Sequence, residues 1–150
     1  MKNIKSVVWL SVVALLIITG FSSCNTQMTI ARGTSFGHCV GFCNKELIVS
    51  KKQIIYNQWK NGDQPDKKGS SKILQQEVYN KMVSDFNFKD FYTLDQTIGC
   101  PDCADGGAEW IEVKKGSNTR RVTFEYGKAP EQIKSTVEQL NKMQAEFEID

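Results

Sequence analysis

Two stretches of this chain, residues 74–86 and 133–147, place apolar side chains along one side of a helix, and any fold must cover both stripes. Leu74, Val78, Met82 and Phe86 recur every four residues, with Tyr79 and Val83 in the adjacent row. Ile133, Val137, Leu140, Met143 and Phe147 repeat the pattern. A one-sided stripe is stable only against another apolar surface, and the neighbouring residues supply one as strands. In residues 120–126, Val122, Phe124 and Tyr126 alternate with Arg121, Thr123 and Glu125, the two-residue period of a strand with one buried face. Residues 110–114 pair with it around Lys115-Gly116-Ser117-Asn118. Residues 45–50 form a strand through Leu47-Ile48-Val49, and Ser50-Lys51-Lys52 turns it into a second strand at 53–59. Residues 28–32 form a short strand ended by Gly33-Thr34-Ser35. The polar segment 60–70 reads as a loop.

Ser71 is expected to cap a helix running to about residue 85, with Phe86, Phe88, Phe91 and Tyr92 sealing its end. Pro130 suits the first turn of a second helix, with Glu131 at the positive end of its dipole. The expected fold is α+β: an antiparallel sheet of four to five strands with two helices on one face, in the order strand-strand-helix-strand-strand-helix. In that arrangement Trp110, Val122 and Phe124 pack against Leu74, Val78, Val137 and Leu140.

The start of the chain has a different character. Lys2 and Lys5 precede an apolar run at residues 7–21 broken only by Ser11, Thr19 and Gly20. Fifteen residues fall short of the roughly 20 that cross a bilayer as a helix, and the pattern reads as a secretory signal peptide. Its end, Phe21-Ser22-Ser23-Cys24, resembles a bacterial lipoprotein signal. That resemblance implies cleavage before Cys24 and acylation of this cysteine with palmitate-type chains, enough for stable anchoring where one chain is marginal. The implied organisation is a signal peptide at 1–23, a lipidated tether at 24–27 and a single domain at 28–150. Asn25, where an Asp would resemble an inner-membrane retention signal, favours the outer membrane of the cell envelope over the inner. Residues 25–27 span only about 10 Å, so the domain sits near the bilayer.

Of 19 Lys and Arg, two lie in the leader, so 17 stand against 17 Asp and Glu beyond it. This neutral balance argues against a nucleic-acid partner. A hydrophobic share of 40% with three prolines argues against a disordered chain.

Cys39, Cys43, Cys100 and Cys103 form an even set in an exported domain, which points to disulfides of open connectivity. Pairing Cys39 with Cys43 requires a turn, which Gly37 and Gly41 permit. Cross-pairing would close loops of about 60 residues, worth roughly 4 kcal/mol in the loop-entropy model. The same cysteines have the count for a zinc site, which an oxidising envelope disfavours. Cys100-Pro101-Asp102-Cys103 has the spacing of a thioredoxin-type motif, but Ala104-Asp105-Gly106-Gly107 leads into a strand and not into the activating helix. Asp102, Asp105 and Glu109 lack the ligand alternation of a calcium loop.

His38, the single histidine, has no nucleophile motif beside it. Trp59 and Trp110 read as core aromatics before a ligand platform. Lys114, Lys115, Arg120 and Arg121, with Glu109, Glu112 and Glu125, read as a solvated charged face.

The segment Cys39-Val40-Gly41-Phe42-Cys43, followed by strand, tight turn, strand and helix, resembles an uncharacterised exported bacterial lipoprotein domain marked by Cys-x-Gly-x-Cys. The resemblance spans about residues 28–145, with Asn44 in place of the usual proline and Cys100 and Cys103 added. It implies this order of elements and no catalytic residues. The expectation is a non-catalytic, lipid-anchored envelope protein that binds or scaffolds a partner, with no cofactor. The rival is a thiol- or metal-dependent activity centred on Cys100 and Cys103.

Overall fold

The computed structural model describes residues 27–62 and 67–148. The expected signal peptide and Cys24, with most of the tether, lie outside these residues. Among them, seven strands form one sheet: β1 (Met28–Ser35), β2 (Asn44–Val49), β3 (Gln53–Trp59), β4 (Lys68–Ile73), β5 (Thr97–Ile98), β6 (Ala108–Lys115) and β7 (Asn118–Glu125). Three helices accompany it: α1 (Gln76–Asp85), α2 (Phe88–Thr93) and α3 (Lys134–Glu148). The strand order is β4-β3-β2-β1-β6-β7-β5, antiparallel throughout except for the parallel β5–β7 pair. The class is α+β as expected. The four-to-five-strand, two-helix count is corrected to a mixed sheet of seven strands and three helices. None of these helices is long and apolar enough to cross a membrane.

The helices pack on one face. From that face Ile30, Leu47, Val49, Ile54, Tyr56, Ile111, Val113, Val122 and Phe124 meet Tyr79, Met82, Phe86, Phe91, Val137 and Leu140. The register pairs Ile30 with Val113, and Ile111 with Val122, so each strand contributes alternate residues to one continuous apolar layer. The second stripe forms as expected. Pro130 precedes a single 3-10 turn (Glu131–Ile133) that leads into α3, and Ile133, Val137 and Leu140 are buried. Phe86 lies 5.2 Å from Phe91 and 4.6 Å from Phe88, closing the core beside α2.

Four expectations need correction. Ser71 does not cap a helix; it lies within β4, an exposed edge strand, and the helix begins at Gln76. β1 does not stop at residue 32 but runs to Ser35 and forms the centre of the sheet. Trp110 pairs with Thr123 and points to the face opposite Val122 and Phe124. Val78 is 37% exposed and outside the core, while Leu74, Val137 and Leu140 are in it.

On the opposite face the Trp110 ring lies across Gly33, where an added Cβ would come within 2.1 Å of Cζ2. The Arg121 guanidinium stacks over that ring, 3.8 Å from its centroid, and pairs with Glu112 at 2.9 Å. Gly33 is therefore part of the strand because the indole needs its missing side chain.

A polar chain crosses the helix-facing layer near the far end of β1. Glu109 accepts from Arg32 Nε at 2.6 Å and from the Gly127 amide at 3.1 Å. Arg32 Nη1 donates to Gln144 Oε1 at 2.8 Å, and Gln144 Nε2 donates to Glu148 at 3.0 Å. Glu148 also accepts from Lys45 at 2.7 Å and from the Tyr56 hydroxyl at 3.0 Å. Five elements are tied by this one series of contacts.

Burial pushes the Glu148 carboxyl up, but hydrogen bonds from Lys45, Gln144 and Tyr56 outweigh it and hold the group below its ordinary value of 4.5. Burial and the same contact raise the Tyr56 phenol. A carboxylate with a depressed folded pKa stabilises fully above its unfolded pKa and loses that contribution as pH falls through the folded value. Glu148→Gln is therefore expected to cost about 0.5–1 kcal/mol at neutral pH, a figure reduced for its partial exposure. Denaturant melts at descending pH should show parent and variant converging below the carboxylate range.

Candidate functional site

The two cysteine pairs meet at one end of the sheet. β1 ends at Ser35 and β2 begins at Asn44, so residues 36–43 loop over that end. Residues 99–107 return the chain from β5 to Ala108, which pairs with Ser35, so the second loop arrives beside the first. Cys39 bonds to Cys43 and Cys100 to Cys103, with Cα separations of 5.6 and 5.5 Å. Pairing is local, and the cross-linked alternative is not formed. Gly41, at φ +94°, makes the turn that brings Cys43 N to Gly41 O at 3.1 Å. Each bridge closes a loop of four or five residues, worth about 2 kcal/mol in the loop-entropy model.

The loops are tied to each other and to the sheet. Asp102 Oδ1 accepts from the Gly37 amide at 3.3 Å, and Asp105 Oδ1 lies 2.6 Å from His38 Nδ1. The Phe36 ring lies over Gly107 and meets Tyr126 edge-on at 4.9 Å. Asn61 Nδ2 donates to the carbonyls of Phe36 and Gly37 at 2.9 and 3.0 Å. Glu125 accepts from the Cys100 amide at 3.2 Å and pairs with Lys128. Those two hydrogen bonds, Lys128 first, hold the Glu125 carboxyl below its usual range.

Three non-glycine residues in this second loop, Asp102, Ala104 and Asp105, have φ of 61°, 51° and 58°. Such residues persist only where the surroundings over-determine them. The disulfide, the Asp102 N to Gly107 O bond and the Gly37 contact do so here. The rim is thus a shaped surface of exposed side chains, with Val40 fully exposed at the tip of the first loop.

Among the described residues, all four cysteine sulfurs are in disulfides. Cys103–Asp105 forms one 3-10 turn and β6 follows it, so Cys100 has no helix terminus of the kind that activates a redox thiolate. Asp102, Asp105 and Glu109 face three different partners, Gly37, His38 and Arg32. Among the described residues no group of three or more His, Cys, Asp and Glu is placed to hold a metal ion. Glu109 is corrected from a solvated residue to one that is 1% exposed. Arg120 also leaves that face, donating to the Leu94 carbonyl.

Trp59 and Trp110 share a face but are separated by β2 and β1, each ring with its own cation, Lys67 and Arg121. They form no common platform. A cleft of about 200 Å³ between the rim and α3 is lined by Arg32, Thr34, Phe36, Lys45 and Gln144. It is smaller than the roughly 300–1,000 Å³ of ordinary ligand pockets. Asn61 escaped the sequence reading as a site residue, although the Asn-Gly step at 61–62 marked a turn there.

A comparison with protein families and one with curated proteins find no match for this chain.

Replacing Cys100 and Cys103 together by Ser is expected to lower stability by about 2 kcal/mol, or about 5–10 °C in Tm for a domain of this size. Calorimetry checks the shift. A dithiol-exchange assay should read zero for parent and variant alike.

Proposed function

We propose that this chain is a non-catalytic, lipid-anchored protein of the cell envelope, more suited to the outer than the inner membrane. It presents its disulfide-braced rim to a protein partner. The observation that carries the reading is the polarity of β1. The strand starts at Met28, four residues after Cys24, and runs eight residues to Ser35, where both disulfide loops sit. At about 3.3 Å per residue this places the rim roughly 25 Å from the anchored end. A tether at one end and a rigid, irregular surface at the other suit display, and the resemblance to exported lipoprotein domains agrees.

Metabolic labelling with a palmitate analogue tests the anchor. The parent should label and lose its leader, and Cys24→Ser should do neither; normal acylation of that variant refutes the reading. A photo-crosslinking residue at Val40 in living cells tests the rim. A discrete protein adduct is expected there and none from the same probe at Ser117, at the opposite end.

A further inference from the structure

We propose that the end of the sheet where β1 begins is itself a membrane contact, on which Lys51, Lys52, Lys114 and Lys115 seat against anionic phospholipid headgroups. The proposal rests on the anchored reading above and adds a second, electrostatic attachment to it.

The register assembles the four lysines. Met28 pairs with Lys115 and Thr29 with Lys114, so the β6–β7 turn flanks the start of β1 on one side. Ile30 pairs with Val49 and Val49 with Ile54, so the Ser50-Lys51-Lys52 turn flanks it on the other. Two Lys-Lys pairs, far apart in sequence, therefore bracket the point where the chain leaves for Cys24. All four are exposed, and none has an ion pair among the described residues. The Leu74 amide bonds the Lys52 carbonyl and brings the first turn of α1, with Glu77, to the same end. Against the one carboxylate of Glu77, the four lysines leave this end basic.

Four lysines thus gather at this end of a chain whose totals balance beyond the leader. Ile73, paired with Gln53 beside the Lys52 turn, is 93% exposed. An apolar side chain among lysines suits the headgroup boundary, where cations meet phosphate and an aliphatic group leaves water.

Tether length selects the lipid as occupant. The step from Cys24 to Met28 spans at most about 14 Å, and the attraction of an anionic surface reaches about one Debye length, 8–10 Å. An acylated Cys24 keeps this end within about one and a half Debye lengths of the surface, close enough to feel that field. A protein partner would have to enter the same narrow gap.

The full-length chain, purified from membranes, tests this without substitutions. After its intact mass is recorded, it is reconstituted in vesicles of phosphatidylcholine alone or of phosphatidylcholine with phosphatidylglycerol. Lysines are then modified with a membrane-impermeant amine reagent and read peptide by peptide. Each lysine at an anionic surface strengthens seating by about fivefold and the four together by on the order of 600-fold, so their protection on anionic vesicles should be at least about tenfold. High salt should abolish the protection. Lys60 and Lys128, at the disulfide end, should react equally on both vesicles. Equal labelling of the four on both vesicles, or protection that salt does not reverse, overturns the proposal. An intact mass with leader and no acyl group refutes the anchor alone, because the apolar leader still inserts and the footprint still reads the lysine end.

Discussion

Glu109→Ala is expected to lower the unfolding free energy by about 3–5 kcal/mol. Arg32 and Glu109 have side chains only 5% and 2% exposed and lie 2.6 Å apart. Truncating the glutamate leaves a guanidinium buried without its counter-charge and removes the acceptor of the Gly127 amide. The loss comes from the stranded charge more than from the net worth of the pair. Replacing both, as Arg32→Met with Glu109→Leu, should therefore recover most of the loss. Urea denaturation of Arg32→Met, of Glu109→Leu and of the double closes the cycle. A double that costs the sum of the two singles would show that the pair is not coupled.

Val122→Asp should cost about 4 kcal/mol or more, because it places a carboxylate with no partner at a position with no exposure. Val122 sits opposite Ile111 in the middle of the helix-facing layer. Thr119→Asp, on the same strand but on the uncovered face and exposed, should stay within about 0.5 kcal/mol of the parent. Similar melting temperatures for the two variants would contradict the strand phase.

The segments read correctly from sequence are those with one buried side. β7 and α3 have a single apolar row each, so periodicity alone gives their position and phase. β4 carries Lys-Gly-Ser-Ser-Lys-Ile, exposed along its length. An edge strand with no core side has no alternation to detect, and its lysines are what protects such an edge from further pairing. In β1, Arg32 and Gly33 look like the end of a strand. The arginine is buried only because Glu109 and Gln144, 77 and 112 residues away, receive it. The glycine is there for Trp110.

Trp110 misled for a related reason. Ala108 and Trp110 lie on one face and Ile111 and Val113 on the other, so both rows of β6 are apolar and the larger side chain suggested the wrong one. At the rim, the even cysteine count and the compartment led to disulfides, but spacing could not choose their partners. The choice came from the turn at Gly41 and from the left-handed residues between Cys100 and Gly107, which local sequence does not encode. The contacts of Asp102 with Gly37 and of Asp105 with His38 join loops 65 and 67 residues apart and had no sequence signature.

One mass spectrum of the native chain reads both the lipid anchor at Cys24 and the structural state of the other four cysteines. The protein is purified from membranes without reductant, alkylated under denaturing conditions and weighed intact. The predicted mass begins at Cys24, carries acyl chains and includes no alkyl group on Cys39, Cys43, Cys100 or Cys103. A chain that keeps its leader, lacks acyl mass and takes up alkyl groups at those four cysteines would contradict it.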